Sequence, residues 1–216
     1  MGSDKLAAPI HGKPVIQYSI ELFLRHPAFA GVLVTEPRQN NLSLTHPRFW
    51  RCEGGVSRCE SVFNGLRFLA QQCTGKSQIW VHDAARPCLT HQALSSIVSA
   101  CDMAATPAIV ARRASDSIKR VAKANNQQPL VAEHCDRELY WHAQTPQIAT
   151  LEQLLTAYQH CLEQGIEVTD EAGALAAINA QVRLISCPVA NPKITFTEDL
   201  QYASMLLGQK DEKPVH

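Results

Sequence analysis

The chain is expected to fold as an α/β protein around a mostly parallel, doubly wound sheet. Three observations in its 216 residues carry that expectation. Short β-branched or aromatic runs alternate with longer stretches whose apolar residues recur at helical spacing, the pattern of strand–helix–strand units. Capping residues, prolines and glycines fall where those helices should start and stop. One segment, residues 112–147, breaks the alternation with short strand-like pieces and no full helix, so it is expected to leave the main sheet as a β-arm.

Pro14 opens the first helix, with Ile16, Ile20, Phe23 and Leu24 on its apolar face, and His26-Pro27 closes it. Residues 30–35 and 48–52 read as strands. Ser57 and Glu60 have the spacing of a capping box, and Val62, Leu66 and Leu69 supply the face of the helix they open. Residues 78–82 form the next strand, 91–103 a helix and 107–111 a strand. The pieces of the arm are 117–121, a polar turn at 122–128, then 130–135 and 141–147. Thr150 and Gln153 cap a helix that Gly165 stops. Residues 170–178 make a further helix, 182–188 a strand, and 197–207 a last helix capped by Thr197. Residues 1–207 read as a single domain, and 208–216 as a polar tail that frays.

Composition narrows the function classes. Lysine plus arginine equals aspartate plus glutamate at 20 each, so the basic excess of a nucleic-acid binder is missing. No run approaches the roughly 18 apolar residues of a membrane span, and the start shows no signal-peptide pattern. The eight cysteines form no Cys-x-x-Cys pair and no zinc-finger spacing, which favours reduced thiols in the cytoplasm.

In open α/β sheets ligands sit beyond the carboxyl ends of the strands, so charged residues there are candidates for chemistry. In Val81-His82-Asp83-Ala84-Ala85-Arg86-Pro87 a hydrophobic strand ends in an aspartate, two small residues permit close approach, and an arginine follows. Such an aspartate can hold Mg²⁺ on phosphate oxygens, and such an arginine can grip a phosphate with paired bonds. On composition alone, a strand-end Asp–Arg turn pair is the better account. Gly54-Gly55 before a capped helix leaves backbone N–H groups for an anion or a base edge, or is an ordinary turn. Thr169 reads as a helix cap, with Asp170 and Glu171 matched to the helix dipole. His142, beside Trp141, is a packing residue or a base. Lys193 after Asn191-Pro192, and Lys5 near the start, read singly as surface lysines.

Taken in order, these segments resemble one family. Gly54-Gly55, Arg58 and Ser61-Val62; His82 to Pro87; Asp116-Ser117-Ile118-Lys119; Trp141-His142 and Thr145-Pro146-Gln147; Thr169-Asp170-Glu171; and Asn191 with Lys193 are similar to 2-C-methyl-D-erythritol 4-phosphate cytidylyltransferases. The resemblance runs from Met1 to about Leu207. It implies a Rossmann-like nucleotidyltransferase domain, a Mg²⁺-dependent homodimer, and CTP and methylerythritol phosphate as substrates. It further implies that Asp83 holds Mg²⁺ and that Gly54, Gly55, Ser61, Asp83 and Ala84 bind the nucleotide. Arg86, Thr145, Thr169 and Lys193 would bind the acceptor, helped by Ser117 and Arg137 from an arm that crosses to the partner subunit. Lys5 and Lys193 would stabilise charge during the reaction. A ribitol 5-phosphate-type cytidylyltransferase and an inactive dimeric relative remain as alternatives.

The family's pattern begins with a strand and a glycine-rich loop, Ala-Ala-Gly-x-Gly-x-Arg-Met-Gly, of which Met1-Gly2 matches only the end. The segment Asp4-Lys5-Leu6-Ala7 also differs from the family's Pro-Lys-Gln-Tyr, and Ser117 stands where threonine is common. A start assigned too late is the preferred explanation, ahead of a degenerate copy or an active short enzyme. The expected consequences are weak CTP binding and a sheet with a gap beside residues 78–82.

Overall fold

The computed structural model describes residues 4–36, 44–101, 106–122, 128–187 and 189–211. A short helix α1 (Asp4–Ala7) leads into a small antiparallel pair, β1 (Pro9–Ile10) and β2 (Lys13–Pro14), and then α2 (Val15–Arg25). There follow β3 (Val32–Glu36), β4 (Phe49–Glu53), α3 (Arg58–Leu69), β5 (Gln78–Val81), α4 (His91–Ala100) and β6 (Ala108–Arg113). The arm hairpin consists of β7 (Ile118–Val121) and β8 (Val131–Cys135), with a 3₁₀ turn at Arg137–Leu139. The chain then returns through β9 (Trp141–Thr150), α5 (Leu151–Gln164), α6 (Glu171–Ala177), β10 (Arg183–Ser186) and α7 (Thr197–Asp211). Among the described residues no helix is long and apolar enough to cross a membrane.

The central sheet has the order β10-β6-β9-β5. β10 pairs with β6 in parallel, whereas β9 runs antiparallel to both β6 and β5. The α/β fold is as expected, but the place of residues 141–147 is not. They belong to the sheet rather than to the arm, with Val81 opposite Gln147 and Arg113 opposite Trp141. The chain re-enters the sheet from the arm without a crossover helix, and a strand that returns that way runs antiparallel. The gap expected beside residues 78–82 is present. Among the described residues β5 has a strand neighbour on one side only, and the parallel pair β3–β4 forms a sheet of its own.

Helices cover both faces. Adjacent residues of β9 supply opposite cores, as the two-residue period of a strand requires: Ile148 joins the cluster under α2 and α4, and Ala149 joins the one under α3, α5 and α6. β5 does the same, with Trp80 on the first side and Ile79 and Val81 on the second. Leu94, Leu154 and Tyr158 are fully buried in these layers. Burying one such side chain contributes about 1.5–3 kcal/mol.

The helix signals were met unevenly. Thr150 and Gln153 form a full capping box on α5, and Gly165 ends the helix in the left-handed conformation at φ 64°. Ser57 caps α3 by accepting from the Glu60 N–H at 3.1 Å, but the Glu60 carboxylate turns to the Val56 N–H at 2.8 Å, so the reciprocal half of the box is not made. Asp170, not Thr169, caps α6, accepting from the Gly173 N–H at 2.9 Å. Thr197 lies inside α7. The cap there is the Asp199 carboxylate, which accepts from the N–H groups of Thr195 and Phe196, both at 2.8 Å. α7 continues through Gly208 to Asp211, into the stretch expected to fray, while α4 stops at Ala100 and Met103 lies outside the described residues.

Candidate active site

β5 ends at Val81 and delivers His82 and Asp83 to the sheet's edge, opposite Thr145 of the neighbouring β9. The cis Thr145-Pro146 bond lies here. Thr145 Oγ1 accepts from the Asp83 N–H at 3.1 Å and stands 3.0 Å from His82 Nδ1. His82 Nε2 is 3.2 Å from the Arg86 carbonyl oxygen. A carbonyl can only accept, so Nε2 carries the ring proton and Nδ1 accepts from the Thr145 hydroxyl. Burial against Phe23 depresses the His82 pKa to about 4, which keeps the imidazole neutral and this relay intact.

Two cations converge on Asp83. Lys193 Nζ lies 3.0 Å from Asp83 Oδ2, and Arg86 Nε lies 3.4 Å from the same oxygen. Burial alone would raise this carboxyl, but the Lys193 ammonium, with Arg86 and Arg58 behind it, outweighs that and holds it below the usual range. Arg86 Nη1 also donates to the Asn191 carbonyl at 2.9 Å, and the Ile194 N–H donates to the Ala85 carbonyl at 2.8 Å. These bonds fasten the loop that carries Lys193 to the end of β5.

Opposite them lies the start of α6. Gln147, 2% exposed, donates to Asp170 Oδ2 at 3.1 Å and accepts from the Ala172 N–H at 2.8 Å, so β9 fixes the helix terminus. The cleft between these parts holds about 220 Å³, and among the described residues Arg58, Asp83, Arg86, Thr145, Thr169 and Lys193 are in its lining. Typical sites for whole ligands run to about 300–1,000 Å³, so this cleft suits the phosphate-bearing end of a substrate.

The expected residues therefore divide. Asp83, Arg86, Thr145, Thr169 and Lys193 meet in one cleft. Ala84 packs instead on the cluster of Ile16, Ile20 and Leu24. Lys5, on α1, is outside the cleft lining and acts on Asp199 at the start of α7. Ser117 and Arg137 lie on the arm, where Arg137 Nη1 donates to the Ser115 carbonyl at 2.9 Å. Gly54, Gly55 and Ser61 stay together at the start of α3, but the expected free amides are in use. Glu36 O accepts from the Gly54 N–H at 3.0 Å, Ser61 Oγ from the Gly55 N–H at 2.9 Å, and Glu60 from Val56. Gly55 is required by space: a Cβ there would lie 2.2 Å from Glu60 Cβ.

Sequence reasoning missed the charges beneath the cleft. Glu171 is not a surface complement to the α6 dipole. It is wholly buried, and its Oε1 accepts from Arg58 Nη2 at 2.8 Å and from the Tyr158 hydroxyl at 2.7 Å. A usable signal existed in Arg58, a cation in the first turn of a helix, where the dipole disfavours it.

The donors present fit Mg²⁺. Among the described residues no group of three or more His, Cys, Asp or Glu side chains could hold a metal. Mg²⁺ is commonly held by one or two carboxylates together with substrate phosphates, and Asp83 supplies one carboxylate at the cleft. Asp170 is already committed to Gly173 and Gln147.

Cations gathered on an aspartate at a strand end, in a layered α/β domain, make a site of the phosphate-handling class. Residues 1–209 match the family described as IspD, 2-C-methyl-D-erythritol 4-phosphate cytidylyltransferase. The chain belongs to that family. A protein of that name from Vibrio vulnificus is 38% identical over 210 residues, covering 94% of this chain and 87% of the relative. The crystal structure of the Francisella tularensis 2-C-methyl-D-erythritol 4-phosphate cytidylyltransferase superposes with a TM-score of 0.80 at 30% identity, covering 94% of this chain and 92% of the other. A crystal structure of 4-diphosphocytidyl-2C-methyl-D-erythritol synthase gives 0.81 at 28% identity, with 94% and 95% covered.

Proposed function

We propose that the chain transfers the cytidylyl group of CTP to 2-C-methyl-D-erythritol 4-phosphate and releases pyrophosphate, a step of isoprenoid precursor synthesis by the non-mevalonate route. The observation that carries this reading is the Lys193–Asp83–Arg86 cluster in a cleft faced by Thr145 and Thr169, in a chain of this family. The acceptor's phosphate oxygen attacks the α-phosphorus in line. One P–O bond forms, the bond to the bridging oxygen breaks, and its electron pair leaves with pyrophosphate. No covalent enzyme intermediate is needed.

Two polyanions must meet, so positioning and charge neutralisation supply most of the rate. Lys193 and Arg86 provide fixed positive charge at the acceptor phosphate. Asp83 would hold Mg²⁺, which would supply neutralisation of phosphate charge. The Thr145 hydroxyl donates to His82 and accepts from the Asp83 N–H, which leaves one lone pair for the cleft, suited to a hydroxyl of the acceptor. The turn of Gly54, Gly55 and Ser61 is assigned to the nucleotide.

The same reading makes the protein a cytoplasmic homodimer in which each arm brings Ser117 and Arg137 to the other copy's acceptor site. Five apolar side chains on and beside the arm support it: Val121, Leu130, Val131, Leu139 and Tyr140 are all exposed, which a second copy would cover. None of the eight cysteines is in a disulfide, as suits a reducing compartment. Pyrophosphate release measured with CTP, Mg²⁺ and either methylerythritol phosphate or ribitol 5-phosphate tests the function. Turnover restricted to the first acceptor is expected, and a preference for ribitol 5-phosphate would overturn it.

A further inference from the structure

Arg58, Tyr158 and Glu171 close a triangle beneath the cleft. Besides the two bonds to Glu171 Oε1, Arg58 Nη1 donates to the Tyr158 hydroxyl at 3.1 Å. Tyr158 and Glu171 are wholly buried, whereas the Arg58 side chain is 34% exposed and contributes to the cleft lining beside Asp83, Arg86 and Lys193. A buried carboxylate paired with a guanidinium is weak evidence of added stability, because desolvation offsets much of the attraction. Arg58 is also the first residue of α3, where a positive charge opposes the helix dipole. Stability alone is therefore a poor account of this cluster. Its effect is to hold one end of a guanidinium by two bonds while leaving three of the five N–H donors that arginine carries.

The triangle also spans the site. Arg58 begins α3, the helix that follows the Gly54-Gly55 turn, and Glu171 begins α6, next to Thr169 and Asp170. A phosphate passing between the nucleotide side and the acceptor side meets Arg58 at that seam. We propose that Arg58 is a substrate-binding residue that donates to a phosphate oxygen in the cleft, and that Glu171 and Tyr158 are the positioning residues that hold it. This rests on the reading of the cleft as a phosphate site. It assigns to Arg58 a contact that the sequence alone did not, and it makes the buried acid and phenol part of substrate recognition.

The test uses Arg58→Lys, which keeps a charge for Glu171, and Tyr158→Phe, which keeps the ring and removes one anchor. Melting temperature and steady-state pyrophosphate release are read together, varying CTP and methylerythritol phosphate separately. Arg58→Lys should fold and raise KM for one of the two substrates at least tenfold, and the substrate affected identifies whose phosphate Arg58 holds. Tyr158→Phe should raise the same KM about threefold with kcat little changed. If both variants keep both KM values within twofold of the parent and lose only thermal stability, the triangle is structural and the proposal fails. Should Arg58→Lys not fold, Tyr158→Phe decides alone by the same criterion. Where the parent itself does not turn over, the proposed function is what has failed. Calorimetric titration with pyrophosphate then reads the contact: affinity lost in Arg58→Lys supports it, and affinity unchanged overturns it.

Discussion

Protonation of His82 would break the bond by which its Nδ1 accepts from Thr145, behind the cleft. Its pKa of about 4 lies below the ordinary 6.5, so between those values the unfolded chain binds a proton that the folded chain refuses. The contribution is present above pH 6.5 and is lost as pH falls toward 4, on the order of 3 kcal/mol in all. Asp83, also held low, works in the same direction at still lower pH. Denaturant unfolding of the parent and of His82→Asn across this range should show the parent losing stability faster, with their difference shrinking toward pH 4. A constant difference would contradict the neutral imidazole. At the same scale, Lys193→Ala removes the cation 3.0 Å from Asp83 and should lower kcat/KM about a hundredfold or more, measured by pyrophosphate release. The strand-end aspartate and its arginine were legible because a hydrophobic run stops at them. Glu171 was not, because a carboxylate in the first turn of a helix looks the same in sequence whether it faces water or a buried arginine.

At the scale of elements, the two glycines that bound helices behave differently. Gly165 sits at φ 64°, so Gly165→Ala forces a side chain into the left-handed region and should cost about 1–2 kcal/mol of unfolding free energy. Gly55 is held by contact rather than by torsion, and Gly55→Ala should disturb the Ser61–Gly55 turn and weaken CTP binding in a calorimetric titration. The caps show what sequence reading can and cannot reach. Thr150 with Gln153 was readable because both halves of the box are local. Glu60 and Asp199 defeated the same reasoning because each carboxylate had a competing backbone donor within one turn. β9 was misplaced because its run of Thr, Pro and Gln does not show an alternation, and its two strand partners are distant in sequence.

The whole molecule presents a four-stranded sheet with helices on both faces, a separate β3–β4 pair, and an arm whose apolar side chains face outward. If the arm joins two copies, Leu139→Asp and Val131→Lys should shift the protein to monomer in sedimentation velocity and raise KM for the acceptor, since Ser117 and Arg137 would no longer reach it. A parent that sediments as a monomer would remove the arm's assigned role. On the proposed function, the acceptor phosphate joins the cytidylyl group in the cleft around Asp83. The most direct test is ³¹P NMR of the parent and Lys193→Ala incubated with CTP, Mg²⁺ and methylerythritol phosphate. Paired diphosphodiester resonances should grow together with pyrophosphate in the parent, and at a small fraction of that rate in the variant. Inorganic phosphate or cytidine monophosphate appearing in place of the diphosphodiester, or equal rates in parent and variant, would contradict it.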